Sequence, residues 1–90
     1  MLFRSRVLAL ETGADTIRIN SVSPGVIKTP LTELLPEASL SGFAAHAALK
    51  RVGEPADIAD VAVWLSTEEA RFITGQSILV DGGFNIPGVR

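Results

Sequence analysis

Ninety residues with eight basic and ten acidic side chains, a formal net charge of −2 and no cysteine make at most one small domain and exclude disulfides, thiolate metal sites and cysteine nucleophiles. The charges are interspersed, and no basic run is long enough to track a phosphate backbone, so nucleic acid is not an expected ligand. Hydrophobic residues make up 47% and mean hydropathy is +0.34, high for a chain that buries only roughly 60–70% of its unfolded surface, so the apolar surplus calls for a partner.

The apolar runs are short and broken by charge, and the N-terminus lacks the apolar stretch of a signal peptide. A cytoplasmic protein with no membrane partner is the expectation. From Met1 to Gly13 the sequence predicts a helix, with Phe3, Val7 and Leu10 at i, i+4 and i+7 and a stop at Gly13. No capping residue precedes it. Leu2-Phe3-Arg4-Ser5 is also the translation of CTC TTC CGA TCT, the tail of a common sequencing adapter, so residues 1–5 are expected to be non-native and the reading frame cut at its 5′ end. Finding these codons in continuous genomic DNA would remove that expectation.

Ala14-Asp15 is a turn, and the β-branched run Thr16 to Val22, bounded by Gly13 and Pro24-Gly25, suits a strand. From Thr29 the chain is helical through Leu31, Leu34 and Leu35, breaks at Pro36 and resumes from Leu40 to Leu49. Arg51 to Glu54 is a connector. Pro55 fits the first helical position, where its missing N–H has no partner anyway, and Asp57 complements the helix dipole. Ile58, Val61, Ala62 and Leu65 then form an amphipathic stripe running to Ser66. After a loop from Thr67 to Thr74, Gln76 to Val80 reads as a buried strand stopped by Gly82-Gly83, and Phe84 to Arg90 as an irregular tail. Two strands joined through helices imply an α/β unit with a parallel pair and a right-handed crossover. Such a pair alone leaves both edges and much apolar face uncovered, which points to a missing remainder.

One stretch carries chemistry: Asn20 to Pro30, N-S-V-S-P-G-V-I-K-T-P. It offers a Pro-Gly turn, backbone donors and acceptors around Val26 and Ile27, and a hydroxyl at Thr29, with no nucleophile, base or metal ligand. Thr29 by itself fits a helix N-cap better than a ligand. His46, the single histidine, reads as a solvent-facing or lid residue, and Trp64 as a core or subunit contact. Asp81-Gly82-Gly83 reads as a strand terminus and tight turn. Glu68-Glu69 and Asp57/Asp60 read as solvated faces, with no metal site.

Three strings, I-R-I-N-S-V-S-P-G-V-I-K-T-P at Ile17 to Pro30, R-V-G-E-P-A-D-I-A at Arg51 to Ala59 and F-I-T-G-Q-S-I-L-V-D-G-G at Phe72 to Gly83, resemble in order and spacing the C-terminal half of the short-chain dehydrogenase/reductases. The resemblance implies that residues 1–90 are the C-terminal part of one NAD(P)-binding domain: a fragment of a Rossmann-like doubly wound parallel sheet, ordered helix, strand, helical substrate loop, helix, strand. It implies an oxidoreductase interconverting a small-molecule alcohol and a carbonyl with NAD or NADP. Pro24 and Gly25 would lie beside the nicotinamide ring in the cofactor loop that includes Val26. The backbone of Ile27 would hold the carboxamide, and the Thr29 hydroxyl would reach the carboxamide or pyrophosphate. Residues 31–48 match the substrate-binding loop and helices, with Leu31, Leu34, Leu35 and Phe43 as the lid. The helix from Pro55 and the strand to Val80 match one subunit interface and the first helix part of another, implying a homo-oligomer, dimer or tetramer.

The family's glycine-rich phosphate loop, Asn-Ala-Gly stretch, catalytic Ser and Tyr-x-x-x-Lys have no match here, and the chain has no tyrosine. No catalytic residue is therefore assigned, and the chain by itself is expected to be inactive, since that tyrosine is the family's general acid or base. Lys28 and Lys50 do not stand at the family's spacing. The alternatives are a stand-alone module that docks on full-length relatives through the Pro55 helix and last strand, or an inactive truncated fragment.

Overall fold

Two short parallel strands organise the chain: β1 (Ser21–Pro24) and β2 (Ser77–Val80), with Ser21 opposite Ser77 and Pro24 opposite Val80. The computed structural model describes residues 2–88; Met1 and the end of the tail, Val89 and Arg90, lie outside them. Helix α1 (Leu2–Thr12) precedes β1, and α2 (Glu37–His46) and α3 (Pro55–Leu65) fill the crossover to β2. Tight 3₁₀ turns stand at Gly13–Asp15, Thr32–Leu34 and Glu68–Ala70. Among the described residues the sheet has these two strands alone, and both outer edges are open.

The first strand lies later than the β-branched run predicts. Thr16 takes a left-handed conformation (φ 60°) that closes the turn after α1, and Ile17 N–H still bonds back to the Thr12 carbonyl at 3.3 Å. Residues 19 and 20 do lie beside 74–76, but side chains replace much of the ladder there. Thr74 Oγ1 accepts the Ile19 N–H at 3.1 Å, and the Asn20 amide accepts from Gln76 N–H at 3.1 Å while donating to the Ile73 carbonyl at 2.9 Å. Regular pairing then begins with Ser21 N–H to the Gln76 carbonyl (2.9 Å) and ends with Gly25 N–H to the Val80 carbonyl (3.1 Å). With donors to β2 at 21 and 25, the amide position of residue 24 points to the open edge, so a proline there removes nothing from this ladder.

Helix α1 does not bury its periodic apolar set. Phe3 is 78% and Leu10 85% exposed, whereas Ser5 and Ala9 are buried. The small-residue face lets the helix approach closely: a Cβ placed on Gly75 would sit 3.4 Å from the Ala9 Cβ. Helix α2 begins at Glu37, because Pro36 supplies the first carbonyl, accepting from Ser39 and Leu40 at 2.9 and 3.3 Å. It stops at His46, short of the expected Leu49, because Ala47 turns extended and buried and Leu49 N–H bonds to the Gly82 carbonyl at 3.0 Å.

Helix α3 forms where the sequence places it, with Pro55 leading and the Asp57 carboxylate accepting the Glu54 N–H at 2.7 Å. Its C-terminal end is held by Arg18, whose guanidinium donates to the Leu65 carbonyl at 2.8 Å and to the Ile73 carbonyl at 3.3 Å. The tail, expected to be irregular, turns back so that Phe84 meets Phe43 edge-on, centroids 6.3 Å apart, and His46 at 4.7 Å.

Candidate functional site

At the end of β1 the chain passes so close to β2 that only glycine fits. A Cβ on Gly25 would lie 2.7 Å from the Asp81 Cβ and 2.9 Å from its Cα. The loop then takes a second partner, the connector ahead of α3. Gly53 N–H donates to the Val26 carbonyl and Lys28 N–H to the Gly53 carbonyl, both at 2.8 Å, making a parallel bridge between Ile27 and Gly53. A Cβ on Gly53 would lie 2.6 Å from the Ile27 Cδ1, the tip of a side chain that can turn aside, so this position is less restricted than Gly25.

Because the Val26 carbonyl and the Lys28 N–H both face Gly53, the alternation of an extended backbone turns the polar groups of Ile27 the other way. Its carbonyl accepts from the Thr32 hydroxyl at 2.9 Å. Among the described residues its N–H has no acceptor. One rigidly held residue thus presents a free donor and an acceptor with a lone pair to spare. That pattern matches a planar primary amide, which needs one donor and one acceptor side by side.

Thr29 does what an N-cap does: its Oγ1 accepts the Thr32 N–H at 3.2 Å, and its carbonyl accepts the Glu33 N–H at 2.9 Å, opening the Thr32–Leu34 turn. Thr32 was not singled out by sequence, although its hydroxyl makes as many contacts as any side chain in the loop. The T-x-x-T spacing, that of a reciprocal capping pair, was the available signal.

The connector is stiffened by an ion pair. Arg51 grips Asp57 with both nitrogens, at 2.8 and 3.1 Å. The Arg51 hydrogen bond first, and the Glu54 N–H second, hold the Asp57 carboxyl down at about 2. At the end of β2, the Asp81 carboxylate accepts from Gly83 N–H, Asn85 N–H and the Asn85 side-chain amide at 2.9–3.0 Å, and its pKa is lowered, mainly by the Asn85 N–H. Asp81 therefore serves the tight turn read for it.

Gly25, Val26, Ile27 and Thr29 stand in one continuous loop with its polar atoms organised, directly after Pro24, the last residue of β1. The lid residues do not converge in the same way. Leu31 and Leu34 are 76% and 81% exposed, Leu35 is partly exposed, and Phe43 packs on Phe84. An open groove beneath α2 is lined instead by Leu40, Ser41 and Ala44 together with Lys28, Val52 and Glu54. Among the described residues no three histidine or acidic side chains come together as a metal site would require, and no helix is long and apolar enough to cross a membrane.

A family model described as enoyl-(acyl carrier protein) reductase matches residues 3–85. A 3alpha-hydroxysteroid dehydrogenase of Mediterraneibacter gnavus is 42% identical over 78 residues, which is 87% of this chain and 31% of that protein. A 3-oxoacyl-(acyl-carrier-protein) reductase of Thermotoga maritima is 39% identical over 82 residues, 91% of this chain and 33% of that protein. Among solved structures, a 3-oxoacyl-(acyl-carrier protein) reductase from Brucella melitensis superposes with a TM-score of 0.91 at 35% identity, over 96% of this chain and 32% of that one. A 4-hydroxyisoleucine dehydrogenase mutant complexed with NADH and succinate superposes with a TM-score of 0.89 at 37% identity, over 98% of this chain and 37% of that one. The chain spans about a third of the length of the relatives it matches.

Proposed function

This chain belongs to the short-chain dehydrogenase/reductase family of NAD-binding, Rossmann-fold oxidoreductases, and from that premise we propose that it is the C-terminal, nicotinamide-orienting part of an NAD(P)-dependent enzyme that interconverts an alcohol and a carbonyl. The observation that carries the proposal is the peptide environment of Ile27: a donor without an acceptor and a carbonyl beside it, with Val26 and Lys28 pinned to Gly53 at 2.8 Å on either side. A carboxamide fits that pair. Its oxygen takes the Ile27 N–H and its NH₂ donates to the Ile27 carbonyl, with Pro24 and Gly25 proposed to lie beside the ring.

The nicotinamide, when bound, supplies or accepts the hydride. What these residues do is fix its orientation: a carboxamide held at two points cannot rotate, so one ring face is presented and the reaction starts from a near-attack geometry. The Thr29 hydroxyl oxygen accepts the Thr32 N–H, and its proton, which can face the Thr32 Oγ1 3.3 Å away, turns to a carboxamide or pyrophosphate oxygen when the cofactor is bound.

The proton-transfer half of the chemistry is assigned outside these ninety residues, since there is no tyrosine. Leu31, Leu34, Leu35 and Phe43 are proposed as the substrate cover, and α1, α3 and β2 as subunit contacts of a homo-oligomer. The open edges of β1 and β2 support the view that the pair is part of a wider sheet. Expressed with the reading frame upstream of it, the chain is expected to give alcohol–carbonyl turnover with NAD(H) or NADP(H), with Thr29→Val raising the cofactor KM; expressed alone it gives none. Turnover by the ninety residues alone, or an unchanged cofactor KM in the Thr29→Val enzyme, would overturn the proposal.

A further inference from the structure

We infer that Thr32 is a positioning residue for the carboxamide-holding peptide, aiming the Ile27 carbonyl and the Thr29 hydroxyl together and tying both to the first turn of the lid; this rests on the function proposed above. The Thr32 Oγ1 lies 2.7 Å from the Thr29 N, 2.9 Å from the Ile27 carbonyl oxygen, 3.0 Å from the Thr29 carbonyl oxygen and 3.3 Å from the Thr29 Oγ1. Its oxygen accepts the Thr29 N–H, so its single proton is directed into the two carbonyls. The Ile27 carbonyl has two lone pairs: one faces Thr32, and the other is left to meet an incoming NH₂.

The same residue acts a second time through its backbone. Its N–H donates to the Thr29 Oγ1 at 3.2 Å, which fixes the position of that oxygen. Thr32 is also the first residue of the Thr32–Leu34 turn, where the exposed leucines of the proposed lid begin. One residue therefore holds both groups that would meet the carboxamide, the Ile27 carbonyl through its hydroxyl and the Thr29 oxygen through its N–H, and couples them to the lid. Among the described residues it is the sole donor to the Ile27 carbonyl.

A purely structural cap predicts that losing Thr32 weakens every ligand alike. An aiming role predicts a loss of selectivity for the NH₂ group. The two separate with nicotinamide and 3-acetylpyridine, which share ring and carbonyl but differ in that only the first can donate to the Ile27 carbonyl. Binding of each to the isotope-labelled ninety-residue chain is followed by NMR at the Ile27 amide, with circular dichroism monitoring the fold. The unsubstituted chain is expected to prefer nicotinamide by roughly three- to tenfold, the worth of one hydrogen bond. Thr32→Val is expected to bring the preference close to unity while keeping affinity for 3-acetylpyridine, and Thr32→Ser to restore it. If nicotinamide leaves the Ile27 amide unmoved in the unsubstituted chain, the carboxamide role of Ile27 fails and the inference with it. If nicotinamide binds there and Thr32→Val keeps the full preference, or loses both ligands equally, the inference alone is overturned.

Discussion

Asp57 shows how a single side chain far from the loop's polar edge governs its rigidity. It accepts two nitrogens of Arg51 and the Glu54 N–H, so it fixes both flanks of Gly53, the residue that pins Val26 and Lys28. Its carboxyl sits at about 2 in the fold against an ordinary 3.8, so the folded state favours the charged form. The stability this contributes is present above the ordinary carboxylate value and is lost as pH falls from there towards about 2. The pair is exposed enough that salt screens part of it. Asp57→Asn should be less stable than the unsubstituted chain at neutral pH, with the difference shrinking as acid is added and shrinking sooner in high salt, measured by denaturant unfolding at a series of pH values. A difference that stays constant down to acid pH would rule out the ion pair as its source. At this scale the sequence showed Asp57 as a helix-dipole partner and Gly25 as half of a turn. Neither the Arg51 fork nor the 2.7 Å approach of Asp81 to Gly25 is visible without the fold, because each joins segments that no local pattern relates.

Arg18 does the corresponding work between elements. It leaves the extended lead into β1 and reaches the last carbonyl of α3 and the Ile73 carbonyl before β2, so a cation meets the negative end of a helix and three segments are held at once. Arg18→Met keeps the aliphatic stem but leaves those carbonyls without their charged donor. A loss of about 1.5–3 kcal/mol is expected from hydrogen bonds to a charged group, read from the midpoint of urea unfolding; an unchanged midpoint would mean that water satisfies the carbonyls equally well. The elements themselves were legible to differing degrees. Helix α3 was readable at both ends, because Pro55, Asp57 and the stripe to Leu65 are local signals; β2 differs from its expected span by one residue but is not the buried strand expected, since Leu79 is 53% exposed. The start of β1 was not readable, because Thr74 and Asn20 side chains take over ladder bonds that β-branched propensity assigns to backbone. The end of α2 is set by the Gly82 carbonyl, distant in sequence. The buried face of α1 was missed for a different reason: periodicity finds the largest apolar residues, whereas close packing over Gly75 selects Ser5 and Ala9.

The whole molecule is short of interior. Among the described residues the buried apolar ones are Ala9, Ala47, Leu65 and Ala70, of which three are alanines, while Phe72 is fully exposed and Phe3, Leu10 and Leu34 are each at least 78% exposed. The composition had already indicated this imbalance, although which faces would stay open depended on how α1 and the 68–72 segment settled. Apolar area removed from water is worth about 25 cal/mol per Å², so large uncovered side chains beside two open strand edges favour association over a lone monomer. Sedimentation velocity over a rising concentration series should therefore show the isolated chain moving from monomer to larger species. Leu10→Ser combined with Phe72→Ser should shift that equilibrium back towards monomer with little change in helicity, because neither side chain contributes to the interior it would leave. If the double variant associates as strongly as the parent sequence, the strand edges rather than these faces drive assembly, and Lys substitutions at the open edge of β2 become the discriminating change. A folded chain that stays monomeric throughout would show that its open faces are tolerated in water, and would remove the physical reason for expecting α1 and the 68–72 segment to seek a cover.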